Sequence, residues 1–180
     1  MRLQDVTTPP VGSGDASGGE PGTDLRELLT RDHARLDRLF EELTAAFDAG
    51  ARQDAERLWS EFDAGLLAHM AEEEHWLLPA FAACDAPEVA GLLREHEQIR
   101  QKLLELGIGV DLHSTRAESV SAFVELLRSH ARREDALAYR WAQRELPEAP
   151  RRLLATRLVA GLRRLSPQIA KENANVKNRS

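Results

Sequence analysis

The chain reads as an all-α protein, an up-down-up-down four-helix bundle with an extra C-terminal helix, and three observations predict it. Apolar residues recur three and four apart through four long stretches, the period of an amphipathic helix. No stretch of the 180 residues alternates apolar and polar side chains with the period of two that marks a strand. The connections between the helical stretches are short, which favours antiparallel neighbours around one core.

Residues 1–22 contain Pro9-Pro10, Gly12, Gly14, Gly18-Gly19 and Pro21-Gly22 among small polar residues, too little apolar surface to order a chain, so a disordered leader is expected. Thr23 or Asp24 caps the first helix, whose Leu25, Leu28, Leu29, Leu36, Leu39, Phe40, Leu43 and Phe47 repeat at helical spacing up to Gly50. A second helix runs from about Gln53 to Ala83 with Leu58, Phe62, Leu66, His69, Glu73 and Trp76 on one stripe, and Pro79 is expected to kink it near its end. Pro87 suits the first turn of a third helix, whose face of Leu92, Leu93, His96, Ile99 and Leu103 is expected to stop near Gly107 and Gly109. The fourth runs from about Glu118 to Leu146 and shows Phe123, Leu126, Leu127, His130, Glu134, Leu137 and Trp141 on one face. Residues 23–147 therefore make the bundle domain. Residues 148–166 form a basic amphipathic helix, with Arg151, Arg152, Arg157, Arg163 and Arg164 opposite Leu154, Leu158, Leu162 and Leu165. It is expected to cover the bundle or to join a second copy in a homodimer, and 167–180 to be a flexible tail.

Composition narrows the function. The formal net charge is −6 and the basic residues are dispersed among acidic ones, so no positive strip points to nucleic acid. No run approaches the roughly 18 consecutive apolar residues that span a bilayer. The single cysteine, Cys84, cannot form an internal disulfide, and no charged-apolar-small leader opens the chain, so the cytoplasm is the expected compartment.

One pattern occurs twice. The first half carries Asp32-His33 and later His69-x-x-x-Glu73; the second carries Glu95-His96 and later His130-x-x-x-Glu134. His33 and His96 are 63 positions apart, while His69 and His130, and Glu73 and Glu134, are 61 apart. Residues four apart lie on one helical face, so each pair can aim an imidazole and a carboxylate at one ion. All six residues fall on apolar stripes, where a polar group raises the free energy unless something satisfies it. Four imidazoles and two carboxylates converging in a bundle suit iron, zinc or manganese. His75 turns about 120° from His69 at 100° per residue, and His113 falls in the loop between the third and fourth helices. Both are read as facing solvent or standing behind the ligands.

With flanks Glu73-Glu74-His75-Trp76-Leu77-Leu78-Pro79 and Glu95-His96-Glu97-Gln98-Ile99-Arg100, this set resembles the hemerythrin-like HHE cation-binding family over about residues 24–145. The resemblance implies a hemerythrin-like bundle holding two iron ions, a non-haem di-iron centre with an oxide or hydroxide bridge. It makes His33, His69, Glu73, His96, His130 and Glu134 the ligands, with Glu73 and Glu134 bridging. Oxygen-carrying members have a second histidine one turn after the third-helix ligand, where this chain has Arg100. They end in a His-x-x-x-x-Asp pair, and Asp135 stands at that spacing; yet Asp135 is about 140° from His130 on a helix, against about 40° for Glu134, which is the better ligand.

Six-coordinate ions need about twelve donor positions, and this set supplies about eight, or ten with a bridging oxygen. Open positions mark sites that bind or transform a ligand. The chain is thus similar to the redox-active members of the family, and the expected function is to bind or reduce a small oxidant: dioxygen, hydrogen peroxide or nitric oxide. The alternative is a sensing or binding module in which the metal's occupancy or oxidation state changes helix packing without turnover. Arg100 and Asp37 each follow a lone histidine by four residues and are expected to pair with each other, with Arg100 also hydrogen-bonding the oxidant as a catalytic group. The aromatic residues read as packing. Tyr139 falls about 180° from His130 on a regular helix and points away from the site.

Overall fold

In the computed structural model, which describes residues 24–111, 117–157 and 159–160, every stretch with helical periodicity in those ranges is a helix. The leader, the tail and His113 lie outside the described residues. Helix α1 is Leu25–Asp48; its N-cap is Asp24, whose carboxylate accepts from the backbone of Arg26 at 3.0 Å and of Glu27 at 3.3 Å. It ends in a Schellman turn: the Ala51 N–H reaches the Ala46 carbonyl and the Gly50 N–H that of Phe47, which requires the left-handed φ of +66° that Gly50 adopts.

Helix α2 covers 52–82 and is not uniform. It is α-helical over Arg52–Glu72, widens into a π turn at Glu73–Leu77, and resumes over Leu78–Ala82. The Leu78 N–H reaches back five residues to the Glu73 carbonyl. Pro79 has no N–H to donate and its ring crowds the carbonyl four residues earlier, so a wider turn just ahead of it accommodates the ring and the helix continues.

Helix α3 is Ala86–Asp111, with the Asp85 carboxylate capping the Glu88 N–H at 3.0 Å and Pro87 in the first turn. The helix runs through Gly107 and Gly109, two residues past its expected end, to Asp111. A Cβ at Gly107 would lie 3.3 Å from the Trp59 ring, so this glycine serves a close helix approach, and its penalty inside a helix, about 1 kcal/mol, is outweighed by the packing. Helix α4 covers 117–145: Ala117–Glu134, a π turn at Asp135–Tyr139, then Arg140–Glu145. Helical residues 148–157 and 159–160 form α5.

Around the bundle α1 packs on α2, α2 on α3, α3 on α4 and α4 back on α1, so α1 and α3 face each other only across the diagonal. Neighbours run antiparallel: His33 meets His69 while Phe40, further along α1, meets Phe62, further back along α2. Two apolar clusters fill the interior. One gathers Leu36, Phe40, Phe62, Met70, Ile99 and Phe123; the other gathers Leu25, Leu29, Leu77, Phe81, Leu92 and Ala142, together with Leu154 and Ala155 from α5. Helix α5 therefore covers one end of the bundle, and Arg157 lays its guanidinium 3.8 Å from the centre of the Trp76 ring. No described helix is long and apolar enough to cross a membrane.

Each π turn rotates the helical residues beyond it. On regular helices Trp76 would follow Glu73 inward, and Leu137 would follow Glu134; instead Leu77 and Leu78, and Ala138 and Tyr139, take the core, while Leu137 is 40% exposed. Phe47 and Leu93, placed on inner stripes by their spacing, are also exposed.

Candidate metal centre

Between the two apolar clusters the four helices of the bundle bring His33, His69, Glu73, His96, His130 and Glu134 together. Helix α1 supplies His33, α2 His69 and Glu73, α3 His96, and α4 His130 and Glu134. His96, Glu73 and Glu134 are fully buried, and His69 and His130 nearly so. Among the described residues, neither glutamate pairs with an arginine or lysine; their neighbours are the imidazoles and one phenol. Two carboxylates this deep are strongly destabilising unless a positive charge is placed among them.

The six fall into two overlapping groups: His33, His69, Glu73 and Glu134, and Glu73, His96, His130 and Glu134, with the donor atoms in each within 4.8 Å of one another. That is the spread expected around a cation with bonds of about 2.0–2.2 Å. Each glutamate divides its oxygens between the groups. Glu73 Oε1 lies 3.5 Å from His69 Nε2 and its Oε2 3.6 Å from His96 Nε2. Glu134 Oε2 lies 3.3 Å from His33 Nε2, and its Oε1 3.0 Å from His130 Nε2. The His130 Nε2 and Glu73 Oε2 atoms are buried without any hydrogen-bond partner, although both face the centre. Orphaned polar atoms converging on one point fit cations better than any protein neighbour here.

Behind three of the histidines stands an acid held by an arginine. His69 donates its Nδ1–H to Asp32 at 2.9 Å, His96 to Glu74 at 2.8 Å and His130 to Glu95 at 2.8 Å. Arg35 bonds Asp32 at 2.7 Å, Arg100 bonds Glu74 at 2.7 Å, and Arg133 bonds Glu95 and Glu88. With Nδ1 committed outward, each Nε2 presents its lone pair to the centre. Sequence reasoning missed these acids, although a signal existed: an acid directly precedes each lone histidine, Asp32 before His33 and Glu95 before His96, and each serves the other histidine of its own half.

Protons stand in for cations in the metal-free electrostatics. Burial alone would lower His69, but the charges of Glu73 and Asp32 prevail and raise it to about 9. For His130 burial is again overcome, by the Glu134 carboxylate 3.0 Å away and by the hydrogen bond to Glu95, and it too rises to about 9. Burial and the neighbouring Glu134 push Glu73 up to about 7, while the imidazoles of His130, His33 and His96 around it overcome burial and hold Glu134 well below the usual carboxylate range. His33 is lowered by burial and by the nearby His69.

Two expectations about the surroundings are overturned. Arg100 does not pair with Asp37: its partner is Glu74, and Asp37 pairs with Arg128 at 3.2 Å. Asp37 is on α1 and Arg100 on α3, diagonal helices separated by the core, so side chains at their outer edges meet the adjacent helices instead. Nor does Tyr139 point away. Its ring is fully buried and its hydroxyl donates to Glu73, because the π turn at Asp135–Tyr139 sets later residues back by about one position, or about 100°. No residue in 135–139 announces that turn. Asp135, set aside as a ligand from its angle, makes a two-bonded ion pair with Arg26, both bonds 2.8 Å. His75 is exposed.

A cavity of about 460 Å³ opens between α1 and α4 and reaches the centre. His33, His69 and His130 form its floor, Leu36, Phe40, Phe62, Leu66 and Met70 are among its walls, and Asp37 and Arg128 stand at its rim.

This bundle with paired histidine–carboxylate groups defines the class. Residues 24–142 match the hemerythrin HHE cation binding domain, and the chain belongs to that family. Comparison with curated proteins and with solved structures returned no match.

Proposed function

We propose that the chain is a non-haem di-iron protein that binds or reduces a small oxidant, namely dioxygen, hydrogen peroxide or nitric oxide. The observation that carries this reading is the division of the Glu73 and Glu134 oxygens between two pairs of histidines. Carboxylates so placed can bridge two ions a few ångströms apart, with His33 and His69 on one and His96 and His130 on the other. Bound iron would supply electrons for the oxidant and coordination positions at which it can sit.

The protein's own groups supply the rest. Asp32, Glu74 and Glu95 fix the ring orientation of their histidines and raise their basicity. The apolar cavity walls admit a small neutral molecule to the centre and limit the water around it. The role expected for Arg100 changes: it bonds Glu74 on the outward side of His96, so it positions that ring through the acid.

The test is metal analysis after anaerobic loading with ferrous iron. Two ions per chain are expected, with fewer in His69→Ala and Glu73→Ala; one ion or none in the unsubstituted chain would remove the dinuclear reading. Adding peroxide to the loaded protein and recording oxygen evolution separates turnover from a sensing role, which predicts none.

A further inference from the structure

Tyr139 is the chain's only tyrosine and is fully buried against the centre. Its oxygen donates to Glu73 Oε1 and lies 3.2 Å from Glu134 Oε2, 3.3 Å from His33 Nε2 and 3.4 Å from His69 Nε2. Those four residues are the first donor group. The hydroxyl's one proton goes to Glu73 and one proton is shared between His33 Nε2 and His69 Nε2, 2.8 Å apart, so two protons serve five converging nitrogen and oxygen atoms. A cation resolves the crowding, since nitrogen, carboxylate and phenol oxygen all turn lone pairs toward it.

The internal repeat adds an independent argument. The offset of 61 that takes His69 to His130 and Glu73 to Glu134 takes Leu78 to Tyr139, and Leu78 is buried and aliphatic. Only the His33–His69 group has a phenol beside it. A side chain needed merely to fill this layer of the bundle would have no use for the hydroxyl, as Leu78 shows in the other half.

We propose that Tyr139 is a metal ligand whose phenolic oxygen binds the cation held by His33 and His69. The phenol proton is released to solvent on loading. The two metal positions are then chemically unlike, and Tyr139 takes one of the open positions at the ion held by His33 and His69, the two histidines that line the α1–α4 cavity together with His130. This rests on the metal-binding reading above, and the measurement distinguishes the two.

Ferric ions bound to a phenolate absorb visible light by charge transfer, and excitation within that band enhances the ring vibrations of the tyrosine in the Raman spectrum. The chain loaded with ferrous iron and oxidised in air is expected to show both, and only Tyr139 can be the source. Tyr139→Phe, which keeps the ring, is expected to retain iron and the helical circular dichroism while losing both signals. Mössbauer spectra of the unsubstituted protein are expected to show two iron environments in equal amounts. Loaded iron without the ring vibrations overturns the ligand role alone. A single bound iron that shows them upholds the ligand role and overturns the dinuclear reading, and failure to load any iron overturns both.

Discussion

Glu95 accepts from the Nδ1–H of His130 at 2.8 Å and from Arg133, so one carboxylate orients a candidate ligand without touching the centre. Asp32 and Glu74 stand in the same relation to His69 and His96. Such partners typically account for about 10- to 100-fold in metal affinity. Glu95→Gln keeps the shape and removes the charge, and it is expected to weaken iron or zinc binding by that order while leaving the fold intact. Competition against a chelator measures the loss; an unchanged affinity would mean that His130 is oriented by packing alone. Position 91 offers a second route to the same effect. A Cβ there would lie 2.6 Å from an Arg133 nitrogen, so Gly91→Ala has to move the guanidinium that holds Glu95.

The helices show how small local devices aim the site. Gly50 closes α1 at a φ of +66°, with open space around its Cα. The penalty for a Cβ there is conformational, not steric, and Gly50→Ala is expected to lower the unfolding free energy by about 1 kcal/mol with no change in metal content. Denaturant midpoints report the first and metal analysis the second. The π turns act more directly on function. Both begin at or beside a bridging candidate, at Glu73 and just after Glu134, so the residues before each turn keep the register of the site and those after it are rotated. The rotation brings Tyr139 to the centre and leaves Leu137 at the surface. Removing one residue within 135–138 is expected to restore a regular helix without moving the hydroxyl, because the tyrosine then follows His130 by eight residues, about 80° around the helix, and the visible band proposed for Tyr139 would survive.

Taken whole, the described bundle buries Asp32, His69, Glu73, His96, His130, Glu134 and Tyr139 between two apolar clusters and holds them in place by packing on both sides. Its metal-free stability should therefore depend on pH. His69 and His130 have folded values of about 9 against an ordinary 6.5, so the stability they contribute is complete below about 6.5 and is lost as pH rises through 9. Glu73, raised to about 7, acts in the same direction between 4.5 and 7. Glu134, lowered, is ionised in both states across this window and adds no slope there. Chelated protein is expected to melt at a lower temperature at pH 9 than at pH 6.5. Metal-loaded protein should hold its melting temperature over the same range, because cations replace those protons. Loading itself should stabilise by mass action, about 2.7 kcal/mol at a free metal concentration of 100 times Kd.

The internal repeat, the apolar periodicity and the cap at Asp24 were legible because each is a local or strictly periodic property: a helix face is set by residues three and four apart, and a duplicated pair keeps its spacing wherever the chain goes. The all-α class, the four helices and the six converging donors follow from these alone. What the sequence could not settle was decided where helices meet. The partners of Arg100 and Asp37 depend on which helices are adjacent and which diagonal, and the length of α3 depends on Trp59 packing against Gly107. The place of Tyr139 depends on a one-residue widening of α4 that no residue type signals, since a π turn is held by the contacts made beyond it: Tyr139 with Glu73, and Asp135 with Arg26. Periodicity assumes 100° per residue throughout, and a single departure from that value was enough to turn a side chain read as remote into one at the centre of the site.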